Sequence, residues 1–294
     1  MNMTHRSLYK SIVFCAFSLP FLLHSTPTIG DGLFGGAGSN PLGALFGKQS
    51  DDNTGNNSGN SGGLFGSVLS GVSNTSLGPV GLHLLGRELA ARLVGANEVA
   101  PFNDPRVEYV RAITLTLVRE SLRPYEYKDH SIFVIKNDSS VNAHAAPGGF
   151  IFVTSGLLNY VENEDELAFV VAHEVAHVEL DHGLNAIKQA TGQTLASGSF
   201  GFSDELNKKL SDGFSEDIEG EADFRAGQML ARAGYDASLG AKIIERLENR
   251  PGRTHATGYP RDRFTSVIKG VRQAGGPRGK SSSSRTQRFK AALR

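Results

Sequence analysis

The residues best suited to chemistry are His173 and His177, which stand four positions apart with Glu174 directly after the first. On an α-helix two such residues lie one turn apart on the same face, so both imidazoles can reach one ion. Imidazole is a common zinc ligand, and zinc lowers the pKa of a bound water towards neutrality. A neighbouring carboxylate can then take a proton from that water and pass it to a leaving amine. The spacing therefore predicts one Zn²⁺ per chain, held by His173 and His177, with Glu174 as the catalytic base.

The surrounding sequence predicts the helix that this motif requires. Asn163 is a good N-cap residue, and Glu166 three positions later completes a capping-box pattern. The negative charges of Glu164 and Asp165 in the first turn interact favourably with the helix dipole. An apolar run follows directly, so the motif is expected on a buried helix rather than on a solvated one.

A third ligand is expected on a second helix downstream. Glu219 and Asp223 are four apart and share a face, so one can bind zinc while the other accepts a ring N–H from a ligand histidine. Glu221 points elsewhere and competes for the ligand role, and the spacing leaves this choice open. His182 lies nine residues after His173, on the opposite side of a continued helix, and is therefore predicted not to be a ligand.

Composition excludes several other classes of protein. The 294 residues carry 30 basic and 30 acidic side chains, and this zero net charge argues against non-specific nucleic-acid binding. Cys15 is the single cysteine, which excludes an intramolecular disulfide framework and a cysteine-based zinc cage.

The N-terminal part predicts export. Residues 1–25 have a basic start and a short apolar core, as in a signal peptide, although an uncleaved anchor stays open. Residues 26–78 are rich in Gly, Ser and Asn and are expected to form a flexible linker. The compartment expected is the periplasm or cell envelope, with membrane association as an option. Three Leu-Phe pairs in this Gly-rich arm offer weak docking points for a protein or a membrane surface.

Residues 79–273 have the composition of one folded domain. Helical periodicity is expected over Gly81–Val94, after the Asp104-Pro105 helix start, and through most of the sequence from Glu164. Two short strands are predicted, with a turn-forming segment from Asn142 to Gly149 between them. The fold class predicted is α+β, mostly helical with a small β-sheet. Residues 274–294 are basic and are expected to be a disordered tail that binds anionic surfaces weakly.

Together these features resemble the M48 family of zinc metallopeptidases. The similarity spans Asp104 to Lys269 and rests on several motifs in the same order: Asn142-Ala143, Pro147-Gly148-Gly149, Gly156-Leu157-Leu158, His173 to His177, Glu219 to Asp223, and Gly234-Tyr235-Asp236. The resemblance implies a zincin-like (gluzincin) fold with His173, His177 and Glu219 as ligands. It also implies that Glu174 is the catalytic base and that Asp223 supports a ligand histidine.

The same resemblance implies how a substrate binds. A strand formed by Phe150, Ile151, Phe152, Val153 and Thr154 would pair with the extended backbone of a polypeptide substrate. His255, as an auxiliary contact to the zinc or the transition state, and Arg263, as an anchor, are further candidates carried over from the family.

The function expected is that of a zinc metalloendopeptidase acting on misfolded proteins in envelope quality control. The alternative is a zinc-stabilised, chaperone-like binding module whose peptidase activity is masked or absent. Polypeptides are the expected partners in both cases, and nucleic acid is not.

Overall fold

The computed structural model describes residues 77–124, 127–196, 214–248 and 260–294. The predicted signal peptide, nearly all of the Gly-rich arm, and His255 lie outside the described residues. Among the described helices, none has the length and apolarity needed to cross a lipid bilayer.

Ten helices and three strands are described in these ranges. In chain order they are α1 (Pro79–Ala96), α2 (Pro105–Val118), β1 (Ser131–Ile135), β2 (Ala143–Ala146), β3 (Phe150–Thr154), α3 (Ser155–Tyr160), α4 (Glu164–Glu179), α5 (His182–Ala196), α6 (Glu216–Arg232), α7 (Ala237–Gly240), α8 (Lys242–Glu248), α9 (Pro260–Gln273) and α10 (Ser283–Leu293). The prediction of a mostly helical α+β domain with a small sheet is confirmed.

The three strands form one sheet in the order β1-β3-β2. β1 runs parallel to β3, with Phe133 opposite Phe152, and β2 runs antiparallel to β3, with His144 opposite Phe152. The prediction of a turn-forming segment from Asn142 to Gly149 is therefore wrong for Ala143–Ala146. Small residues such as Ala143–Ala146 have little strand propensity of their own, and they are extended because they pair with β3. The turn is limited to the segment that follows, where Gly148 and Gly149 have φ of +74° and +86°.

The prediction that Phe150–Thr154 pairs with a substrate strand is also contradicted. β3 is the central strand, and its backbone is already bonded to β1 on one side and to β2 on the other. All five of its side chains are buried. A short apolar run cannot by itself distinguish a central strand from an edge strand, and this is why the sequence misassigned it.

Helix α4 lies at the centre of the domain. It begins as predicted, because the Asn163 side chain accepts a hydrogen bond of 3.0 Å from the backbone N–H of Glu166. All sixteen residues from Glu164 to Glu179 are buried. The helix packs against α2, α6 and α7, and β2 covers another side.

Helices α6 and α9 pack closely through two glycines. A Cβ at Gly227 would overlap the carbonyl oxygen of Val267, and a Cβ at Gly270 would overlap that of Phe224. The missing side chains therefore let the two backbones touch. This contact sets the position of α9 relative to the acidic face of α6.

The prediction of a disordered basic tail at residues 274–294 is wrong for the part that forms α10. Ser282 caps this helix, and Phe289, 3% exposed, packs into the main core. Arg285 reaches Asp165 at 3.0 Å, and Arg288 forms an ion pair with Glu164. Both acids lie in the first turn of α4 and are buried. Helix α10 neutralises these buried carboxylates, which would otherwise lie in the apolar interior without a cation. This charge pairing explains why the basic tail is ordered.

We expect Gly270→Ala to destabilise the domain by about 1–3 kcal/mol, because the added methyl group must push α9 away from α6. Urea unfolding followed by circular dichroism measures the change. Gly95→Ala is the matched control: this exposed helical glycine has open space around its Cβ position, so alanine should leave stability unchanged or raise it by up to about 1 kcal/mol. Equal effects of the two substitutions would contradict the close α6–α9 contact.

We expect Arg285→Ala to cost about 3 kcal/mol of unfolding free energy, because it leaves the Asp165 carboxylate buried without its cation. Lys290→Ala, which removes an exposed cation from the same helix, should change it by less than about 0.5 kcal/mol. Thermal unfolding of both variants decides the matter, and a stable Arg285→Ala protein would show that α10 does not hold α4.

Candidate metal centre

Three side chains from α4 and α6 converge on one point. The Nε2 atoms of His173 and His177 are 2.9 Å apart. One carboxylate oxygen of Glu219 lies 3.3 Å from Nε2 of His173, and the other lies 3.9 Å from Nε2 of His177. One ligating atom from each residue lies within 4.8 Å of the other two. The structure thus brings together the three residues that the sequence and the family resemblance named.

The donor set fits a zinc ion. Two imidazole nitrogens and one carboxylate oxygen are a known zinc-binding combination, and all three side chains are buried. Glu219 is 1% exposed, and neither of its oxygens accepts a hydrogen bond from any described residue. A buried carboxylate in this condition is costly unless a cation compensates it, and Arg263, which lies 3.5 Å from one of these oxygens, already donates twice to Asp223. The unsatisfied oxygens, directed at two imidazoles, therefore match the position of a metal ligand.

Asp223 and Arg263 hold the far side of His173. Nδ1 of His173 is 2.9 Å from Oδ1 of Asp223. The guanidinium of Arg263 donates to the same carboxylate twice, at 2.7 Å and 2.9 Å. Arg263 is 5% exposed and comes from α9, so the α6–α9 contact positions it. The family-derived candidate Arg263 is thus brought to the site, where it anchors Asp223.

These contacts shift the titration of the buried groups. Burial alone lowers the pKa of His173, but the hydrogen bond to Asp223 and the nearby carboxylate of Glu219 raise it to about 9. Burial raises the pKa of Asp223, but the charge of Arg263 and the hydrogen bond to His173 bring it below its ordinary value. Asp223 is therefore a carboxylate that accepts from the Nδ1–H of His173, and this directs Nε2 towards the centre.

His177 has different neighbours on its far side. Its Nδ1 lies 2.8 Å from Nδ1 of His182, and the ring of Phe214 stacks on it at 4.9 Å between centroids. Burial lowers the pKa of His177 well below its ordinary value, and the neighbouring histidines add to this effect. A neutral imidazole is the form that binds metal.

The placement of His182 corrects the helical projection. The projection assumed one continuous helix, but α4 ends at Glu179 and Asp181 adopts a left-handed φ of +57°. The chain changes direction there and α5 begins at His182. His182 therefore returns to His177 instead of lying on the opposite side. His182 is not one of the three residues whose ligating atoms converge, and the expectation that it is not a ligand stays a prediction.

Glu221 does not join the cluster. Its side chain is 66% exposed, and its carboxylate lies 3.4 Å from Nε2 of His182. Of the two acids that the sequence left open, Glu219 has the geometry of a ligand. Phe214 is a site residue that sequence reasoning missed altogether, since a lone aromatic residue before a helix carries no signal of its own.

Glu174, the last residue of the predicted motif, and a cleft beside the cluster complete the site. Glu174 is on α4 between the two histidines and is completely buried. A cleft of about 870 Å³ opens beside Glu219, and its other lining residues include Leu180, Phe224 and Arg263. Its volume is sufficient for several side chains of a bound chain.

Comparison with known proteins agrees with this geometry. Residues 105–274 match the sequence profile of peptidase family M48. The chain is similar to the mitochondrial metalloendopeptidase OMA1 of Schizosaccharomyces pombe, with 28% identity over 167 residues, or 53% of this chain and 48% of that protein. It is also similar to the beta-barrel assembly-enhancing protease of Escherichia coli, with 30% identity over 169 residues, or 49% of this chain and 33% of that protein.

The chain thus spans between a third and a half of the length of these two relatives. The matched region contains α2 to α9, and therefore every residue of the metal centre. From the profile match over more than half of its length, together with the His173, His177 and Glu219 cluster, the chain belongs to peptidase family M48.

Proposed function

We propose that this protein is a zinc metalloendopeptidase with a zincin-like (gluzincin) fold that hydrolyses peptide bonds in misfolded polypeptides. The observation that carries the proposal is the buried cluster of His173, His177 and Glu219 with Glu174 on the same helix. When bound there, Zn²⁺ would polarise the scissile carbonyl and make a water molecule nucleophilic at neutral pH.

The chain's own residues supply the remaining steps. The carboxylate of Glu174 takes a proton from the attacking water and delivers it to the amine of the departing product. Asp223 accepts the Nδ1–H of His173 and so leaves Nε2 as the nitrogen that would bind the ion, and Arg263 keeps Asp223 ionised and in place. The burial of this apparatus strengthens each of these electrostatic contacts relative to water.

We place the substrate backbone against β2 instead of β3. No described strand pairs with the outer edge of β2, and α4 packs against this strand. The carbonyl of Asn142 bonds to Thr154, so the alternation of an antiparallel ladder directs backbone groups of Ala145 to the outer edge. An extended peptide could add there as a fourth strand, beside the helix that carries Glu174.

The proposed setting is the cell envelope, reached through the predicted signal peptide at residues 1–25. The name of one relative, a beta-barrel assembly-enhancing protease, supports a role in the quality control of assembling proteins, and the name of the other, a mitochondrial metalloendopeptidase, supports the peptidase activity. Docking of a partner through the Gly-rich arm remains part of this proposal. The ordered α10 now assigns Arg285 and Arg288 to intramolecular ion pairs instead of an external surface.

We expect Glu174→Gln to lower kcat on an unfolded polypeptide by about 10²–10⁴-fold, because the amide cannot accept the proton. Zinc content, measured by metal analysis of the same preparation, should stay at one ion per chain. Glu108→Gln makes the same isosteric change at an exposed acid and should retain full activity.

Two results of this experiment would contradict the proposal. Full activity of Glu174→Gln would remove Glu174 from the mechanism. Native protein that holds zinc and captures unfolded chains without cleaving them would instead support the chaperone-like binding module.

We expect Glu219→Ala to lose stoichiometric zinc, since it removes one of three protein ligands. Glu221→Ala should still bind one ion per chain, because Glu221 lies outside the cluster. Metal analysis after dialysis against a weak chelator compares the two variants. The reverse pattern would assign the ligand role to Glu221.

A further inference from the structure

We propose that His182 is a positioning residue that holds His177 in its metal-binding tautomer, with Glu221 orienting His182 in turn. This inference deepens the proposed zinc peptidase function and rests on it. It concerns how the second ligand histidine is held, since Asp223, fixed by Arg263, contacts His173 and no contact between Asp223 and His177 is described.

The atoms in contact determine the direction of the hydrogen bonds. His177 directs Nε2 at His173 and Glu219, so its Nδ1 must carry the proton if Nε2 is to bind an ion. That proton can be donated to Nδ1 of His182, 2.8 Å away. His182 then carries its own proton on Nε2, which faces the Glu221 carboxylate at 3.4 Å. The chain of donors runs from His177 through His182 to Glu221.

His182 cannot be a further ligand in this arrangement. It contacts the nitrogen of His177 that lies away from the cluster, so the His177 ring stands between it and the ion position. Its side chain is only 6% exposed, and the Phe214 ring lies against both imidazoles. This enclosure limits the access of water to Nδ1 of His177, which makes His182 its principal acceptor.

The turn between α4 and α5 is built to place His182 there. Asp181 adopts the left-handed conformation at some conformational cost. Arg123 stabilises the turn, since its guanidinium donates to the carbonyl of Glu179 at 2.7 Å and to the Asp181 carboxylate at 2.8 Å. A side chain from outside the two helices thus stabilises the turn that brings His182 next to His177.

The two ligand histidines therefore have unequal support. His173 is held by a carboxylate that is itself fixed by a bidentate, buried guanidinium. His177 is held by a neutral imidazole whose own partner is two-thirds exposed. We infer that binding of the ion by His177 depends strongly on His182. Replacing His182 with an apolar residue should therefore weaken zinc binding.

The test compares His182→Leu with His182→Asn in the full chain. Leucine removes the acceptor, whereas the Asn side-chain oxygen can occupy the place of Nδ1. Zinc affinity is measured by competition with a chromogenic chelator. We expect Leu to raise the Kd for zinc by about 10- to 100-fold, and Asn to raise it by less than about 5-fold.

Glu221→Ala should raise the Kd by about 2- to 5-fold, since an exposed and long contact contributes little. Asp217→Ala removes the same charge from an exposed position on the same helix and is the matched control, with no change expected.

A second measurement does not depend on zinc. Nitrogen-15 NMR of the histidine rings in the native protein should show His177 protonated at Nδ1 and His182 protonated at Nε2. A His182→Leu protein that binds zinc within about twofold of native would overturn the proposal. So would a native spectrum in which Nδ1 of His182 carries the proton, and this spectrum decides the matter if His182→Leu does not fold.

These outcomes are separable from failure of the proposed function. Native protein that binds no zinc would refute the metallopeptidase proposal, and the ring spectrum of that protein would still test the contact between His177 and His182. Native protein that binds zinc and is unaffected by His182→Leu would leave the peptidase proposal intact and refute the positioning role.

Discussion

Helix α4 is buried along its whole length, and seven of its residues have ionisable side chains. Burying a charged or polar group costs free energy unless a partner compensates it. The rest of the domain is arranged around this requirement. Helices α2, α6 and α10 each bring to α4 apolar surface together with a cation, a hydrogen-bond donor or an acceptor for one of these side chains.

The partners fall into two groups along the helix. At the N-terminal end three buried acids meet arginines from the C-terminal part of the chain, in the pairs Glu164 with Arg288, Asp165 with Arg285, and Glu166 with Arg246. At the other end Glu179 accepts from Arg225 and from Ser121, while the two histidines have Asp223 and His182. The acids and bases of the sequence are equal in number, and several acids on this helix pair with bases that are distant from it in the chain.

Apart from the placement of His182, features that depend on residues close together in the sequence were predicted correctly, and features that depend on residues far apart in the sequence were not. The α4 cap at Asn163 and the helix start at Asp104 were predicted correctly, since each depends on residues within one helical turn. The β2 strand, the central place of β3 and the ordered α10 were not. Each of these results from pairing with a segment distant in sequence. His182 was misplaced for a local reason, since one left-handed residue at Asp181 ended the helix that the projection extended.

By itself the sequence determined the chemistry that is available: two histidines on one face of a helix, a carboxylate beside them, and acids on a second helix. The spacing of residues on a helix is a local property, so a periodic pattern is enough to establish it. Only the tertiary structure decided which acid faces the histidines, with Glu219 inside and Glu221 outside. It also decided that Arg263 and His182 support the site. These outcomes depend on how α6 and α9 pack against α4, and that packing depends on small residues and buried ion pairs that no single segment contains.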